Sequence, residues 1–88
     1  MKSENHLVIT GIVTSDVAIK PEQPYVRFRI IHSLGIGSKP LFLNCLQIIK
    51  PGTEPRIPKK GDSVRVRAYL RPRTNGIEAV VKSMDIEP

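Results

Sequence analysis

The chain has 88 residues, with 14 Lys and Arg against 8 Asp and Glu and a net charge of +6. That length holds one domain, residues 1–88 with an ordered core over about 5–86, and 40% hydrophobic residues suffice for a compact but small core. The single cysteine excludes an internal disulfide and any cysteine-rich metal site; no apolar run approaches the roughly 20 residues of a membrane span, and the opening MKSENH lacks the apolar stretch of a signal peptide.

Eight prolines and six glycines leave few windows long enough for a helix, whereas period-two alternation of Val, Ile, Leu and aromatics recurs. It predicts five strands. The first spans His6–Thr14, with Gly11 at a position where a small barrel bends sharply. A loop with two prolines and an Asp, Ser15–Pro24, leads to the second, Tyr25–His32. Ser33–Pro40 connects it to the third, Leu41–Ile49. Lys50–Asp62, holding three prolines, admits one helical turn at most before the fourth strand, Ser63–Arg71. Asn75-Gly76 reads as a tight type I′ turn into the fifth, Gly76–Ile86. Five short strands in so small a chain favour a closed barrel, which removes exposed edges. On pattern alone, an OB barrel and an SH3-like barrel both fit.

Charge is concentrated. Residues 56–73 carry seven Lys or Arg against the single acid Asp62, a surplus equal to that of the whole chain. In the fourth strand Arg65, Arg67, Tyr69 and Arg71 alternate with Val64, Val66, Ala68 and Leu70, and in the second Tyr25, Arg27 and Arg29 alternate with Val26, Phe28 and Ile30. Such rows suit a phosphate backbone, with tyrosine rings as stacking platforms for bases. The plainer reading is a solvated face whose arginines pair with Glu78, Asp85 and Glu87. His6 and His32 have no companion ligands for a metal, Cys45 reads as a buried small hydrophobe, and no carboxylates are spaced for acid–base work. No enzyme activity, cofactor or small-molecule substrate is expected.

Phe42-Leu43-Asn44-Cys45-Leu46 resembles the F-I-N-C-V segment of bacterial single-stranded-DNA-binding proteins. Asn5 to Gly11 with Asp16 looks like that family's opening N-x-V-x-L-x-G…D, and Lys59-Lys60-Gly61-Asp62-Ser63-Val64 looks like its K-K-G-x-x-V. Leu70-Arg71 and Arg73 stand in place of L-x-T-R, and Val80 to Pro88 resembles the closing V-x-A-E-S-V-x-x-L-E-P. The resemblance implies an all-β, five-stranded Greek-key OB-fold barrel. The family's helix between strands three and four is expected to be absent or reduced, since Lys50–Lys60 is short and proline-rich. Ile48 occupies the place of a stacking aromatic, the loop Arg71–Gly76 is cut short, and no acidic C-terminal tail of the family's kind is expected, which resembles the short dimeric relative primosomal replication protein N.

The function so implied is non-catalytic binding of single-stranded DNA in replication, recombination or repair, with little sequence preference, by a cytoplasmic, nucleoid-associated homodimer or tetramer. Its expected nucleic-acid-binding residues are Lys20, Tyr25, Arg27, Arg29, Lys39, Phe42, Asn44, Arg65, Arg67, Tyr69, Arg71 and Arg73. RNA binding is one alternative. Another is a protein–protein assembly module, for which Leu46 and Ile48 are read as outward apolar residues.

Overall fold

The computed structural model describes residues 5–17, 19–20, 22–52, 56–74 and 76–87. Five strands form where alternation places them: β1 Leu7–Val13, β2 Tyr25–His32, β3 Leu41–Ile48, β4 Ser63–Arg73 and β5 Gly76–Glu87. They close a barrel in the order β1-β2-β3-β5-β4. Every pairing is antiparallel except β3 with β5, which run parallel. This is the Greek-key barrel of the OB fold. Among the described residues there is no helix; residues 53–55 of the β3–β4 connector lie outside them.

The inward set follows from the alternation. Ile9, Val13, Phe28, Ile30, Leu43, Cys45, Val64, Val66, Ala68 and Ala79 form one buried cluster, with Leu70, Val81, Met84 and Ile86 packed against it. In β5 the alternation changes phase. Arg67 stands opposite Ser83 and Ala68 opposite Val81, so Lys82 has no opposite number and forms a β-bulge. The extra residue lets Val81 and Met84, three positions apart, both face the core.

Three local devices explain residues that the hydrophobic pattern leaves unexplained. A Cβ on Gly11 would stand 2.6 Å from the backbone oxygen of Ile31, so glycine is demanded by close approach of β1 to β2. Asn5 extends the β1–β4 ladder beyond its last backbone pair, Leu7 with Ala68. Its amide donates to the Leu70 carbonyl at 2.7 Å and accepts from the Leu70 N–H at 3.0 Å. The turn into β4 closes on itself, because the Asp62 carboxylate accepts the Lys59 N–H at 2.9 Å and the Lys59 carbonyl accepts the Asp62 N–H at 3.0 Å. Gly61 takes φ +95° there, and its N–H donates to the Val13 carbonyl, tying the turn to the end of β1.

Two expectations need correction. Gly76 is the first residue of β5, paired with Arg73, so the connection is Thr74 and Asn75 and not a turn on Asn75-Gly76; Asn75 itself lies outside the described residues. Leu46 is only 4% exposed. It lies in register between Arg27 of β2 and Val80 of β5, under side chains that reach across β3.

Gly11→Ala is expected to destabilise the barrel by about 1–3 kcal/mol, because backbone must move to admit the methyl group. A thermal melt should show a fall in Tm of at least about 5 °C; an unchanged Tm would show that β1 does not approach β2 this closely.

Candidate nucleic-acid interface

The outward residues of β2, β3, the end of β4 and the start of β5 share one face. The β2–β3 register sets Arg29 opposite Asn44 and Arg27 opposite Leu46. On the other side of β3, Cys45 pairs with Ala79, which sets Asn44 beside Glu78, and Glu78 in turn pairs with Arg71 of β4. One row across the sheet therefore reads Arg29, Asn44, Glu78, Arg71.

Glu78 is the centre of this face and is fully buried. Its Oε1 accepts from Nε and Nη2 of Arg71 at 3.1 and 3.0 Å. Its Oε2 accepts from Nε of Arg27 at 3.1 Å and Nη1 of Arg73 at 3.2 Å. The three arginine side chains remain 44–45% exposed. Burial is the largest single influence on the carboxyl and opposes its ionisation. Hydrogen bonds from Arg71 and Arg27, with the charges of Arg73 and Arg27, together outweigh it and hold the carboxyl below its ordinary value.

The remaining groups extend the face. Arg29 Nε donates to Asn44 Oδ1 at 3.1 Å, so Asn44 orients a guanidinium instead of satisfying a backbone group. The β1–β2 loop is tied alongside: Ser15 Oγ accepts the Arg29 N–H at 3.1 Å, and Thr14 N–H donates to the Arg29 carbonyl at 2.9 Å. Between this loop and the β4–β5 turn lies an open cleft of about 420 Å³ lined by Ser15, Asp16, Arg27, Arg29, Asn44 and Arg73, among others. The Arg27 guanidinium lies 5.0 Å from the centroid of the Tyr25 ring, and the Lys82 ammonium lies 5.6 Å from that of Tyr69. Phe42, two residues before Asn44 on the same face of β3, is 55% exposed.

The fold thus gathers onto one face a Glu78-centred cluster of Arg27, Arg71 and Arg73 and, beside it, the separate Arg29–Asn44 pair, with Tyr25, Phe42 and Tyr69 on the same strands. Arg65 and Arg67 join neither. They stand opposite Thr10 and Val8 of β1, on another part of the barrel, and form no ion pair with a described residue. Lys20 and Lys39 are exposed in the β1–β2 and β2–β3 loops, outside both groups. The solvated-face reading is right about Glu78, which pairs with three arginines, whereas Asp85 and Glu87 form no ion pair with a described residue. Glu78 as a buried organiser is what sequence reasoning missed. Its one visible sign is an acid set among the apolar residues Ile77, Ala79, Val80 and Val81 in the first half of the fifth strand.

The buried thiol of Cys45 has no part in such chemistry. Burial, then the Glu78 charge, push it up to about 12.

A carboxyl held below its ordinary value stabilises the fold fully above its unfolded value, about pH 4.3, and loses that contribution as the pH falls through its folded value. Urea unfolding across a pH series should therefore show wild-type stability falling more steeply with acid than that of Glu78→Gln. At pH 7 the variant should be less stable by roughly 1–3 kcal/mol, less than for a fully buried pair because the guanidiniums are half exposed. Parallel acid profiles would show that Glu78 does not carry this load.

No protein-family model matches the chain, and no curated protein does. Solved structures do. The mitochondrial single-stranded DNA binding protein Rim1 of S. cerevisiae superposes with a TM-score of 0.75 at 17% identity, over 97% of this chain and 95% of that one. The second single-stranded DNA binding protein of Mycobacterium smegmatis, SSBb, gives 0.72 at 18% identity, over 97% and 90%. The dimeric N-terminal domain of PriB from Thermoanaerobacter tencongensis gives 0.63 at 14% identity, over 96% and 97%. At such identities the likeness is one of architecture, and it extends over nearly the whole length of both partners in each comparison: the chain has the OB fold of the single-stranded-DNA-binding-protein type.

Proposed function

We propose that this chain binds single-stranded DNA, without catalysis and with little sequence preference, across the face formed by β2, β3, the end of β4 and the start of β5. One observation carries the reading. Three arginines, Arg27, Arg29 and Arg73, line one open cleft whose acids are Glu78, already committed, and Asp16, and a fourth, Arg71, shares Glu78 with two of them. A polyanion is the ligand that such a surface favours. The face lies on strands two and three between the β1–β2 and β4–β5 connections, where OB barrels present their oligonucleotide-binding surface. The architectural neighbours support the same reading, since two of them are single-stranded-DNA-binding proteins.

Replication, recombination or repair is the setting we infer, in the cytoplasm at the nucleoid, with the chain acting as a homodimer or tetramer. The assembly-module reading is weaker, since Leu46 is buried and only Ile48 of its two supporting residues is exposed.

Binding should be strongly salt-dependent. If four phosphates are neutralised, at a slope of about 0.7 per phosphate for single strands, affinity for oligo-dT should fall roughly 100-fold between about 50 and about 300 mM salt. Fluorescence anisotropy with oligo-dT, the matching oligo-rU and a duplex of equal length tests this. Equal affinity for the duplex, or indifference to salt, overturns the proposal, and preference for oligo-rU transfers the function to RNA. Phe42→Ala should separately lose about 1–3 kcal/mol of binding, the worth of one stacked base, with the salt slope unchanged; full retention of affinity would remove Phe42 from the site.

A further inference from the structure

We propose that Glu78 is a positioning residue for nucleic-acid binding, holding Arg27, Arg71 and Arg73 as a single docking site for one phosphodiester of the bound strand. The inference rests on the binding reading above and assigns one place within it. The two carboxylate oxygens accept two N–H groups each, so the acid has no acceptor capacity left for a fourth partner. The guanidiniums, by contrast, keep most of their N–H donors uncommitted, and nearly half of each side chain is open to solvent. Three cations against one anion leave two positive charges in a patch spanned by contacts of 3.0–3.2 Å. The next acceptor drawn to those donors is an external anion with several oxygens, and a phosphate presents that geometry to an arginine fork.

Without the carboxylate, three like charges on long, flexible stems would repel and disperse, and binding would have to gather them again. Glu78 meets that cost in the fold. It does so from beneath: the acid is fully buried and the arginines lie above it, so its own charge is screened from an incoming phosphate by the groups it holds.

The test turns on a sign. Glu78→Gln removes a negative charge from a DNA-binding face, so charge counting alone requires tighter binding and a steeper salt slope. Positioning requires the reverse: affinity of the full chain for oligo-dT about fivefold weaker or more, with a shallower slope, under conditions where a thermal melt shows the variant folded. Wild-type or tighter binding by the folded variant overturns the proposal and leaves the function standing. Should Glu78→Gln not fold, Arg73→Lys decides, because it keeps the charge and removes the fork: a loss of about threefold or more sustains the site, and unchanged affinity overturns it. If the wild-type chain binds no oligonucleotide, the binding reading itself falls, and the site is judged by NMR titration with inorganic pyrophosphate. Shifts confined to the Arg27, Arg71 and Arg73 side chains sustain an anion site, and their absence ends it.

Discussion

A carboxylate with no solvent exposure, surrounded by three arginines, sets the terms for this barrel's outer face. Removing an ionised acid from water is expensive, and an isolated one would protonate instead. Glu78 stays ionised because four N–H groups occupy both of its oxygens. The partners come from β2 and β4 while the acid comes from β5, and Arg27 has to cross β3 to reach it. The cluster therefore ties strands that are not neighbours in the sheet. It also fixes where positive charge can stand. Beside it stands a separate group, Arg29 held by Asn44 and the loop residue Ser15 held by the Arg29 backbone, which lines the same cleft.

The cluster explains the burial beside it. By alternation Leu46 and Val80 point away from the barrel interior, yet they are 4% and 2% exposed. They lie in the row between Arg27 and Tyr69. Long cationic and phenolic side chains cover apolar floor with their stems while keeping polar ends in water. The face is thus a second, thin layer: aliphatic floor and buried acid below, guanidiniums above. A substitution at Leu46 reports on that layer and not on an interface between chains.

Much of the fold could be read in advance because a strand's inward set is a local property. Val64, Val66 and Ala68, or Val26, Phe28 and Ile30, identify their own faces without knowledge of a partner. The β5 bulge was legible too in principle, as the adjacent Val80 and Val81 followed by Met84 and Ile86 break a single period-two phase. The partnership at Glu78 was not. Arg27 lies 51 residues from Glu78 and finds it only through the parallel β3–β5 ladder, a pairing that no spacing in the sequence encodes. For the same reason the concentration of charge over residues 56–73 does not by itself locate a single patch. The barrel divides it, since β4 runs from beside β1, where Arg65 and Arg67 stand, to beside Glu78, where Arg71 and Arg73 are gathered. A run of charge in sequence becomes a patch in space only where the strand's neighbours agree.

Net charge also proves a poorer guide than the arrangement of rings and cations. Of the four aromatic residues, Phe28 is in the core, Tyr25 carries the Arg27 guanidinium over its ring, and Tyr69 carries the Lys82 ammonium. Only Phe42 is exposed without a cation over it. A base stacking on the Arg27 side of the Tyr25 ring has to displace Arg27 or stack on the guanidinium itself, and Arg27 is anchored to Glu78. The same acid that orders the arginines therefore ties up one side of one of the two tyrosines, through the arginine lying over it. For a strand bound as proposed above, contact with phosphate and contact with bases would be coupled on this face, since loosening Arg27 to free a ring undoes part of the arginine cluster. That coupling, more than a shortage of aromatic residues, makes ionic contact the dominant mode of interaction this surface offers.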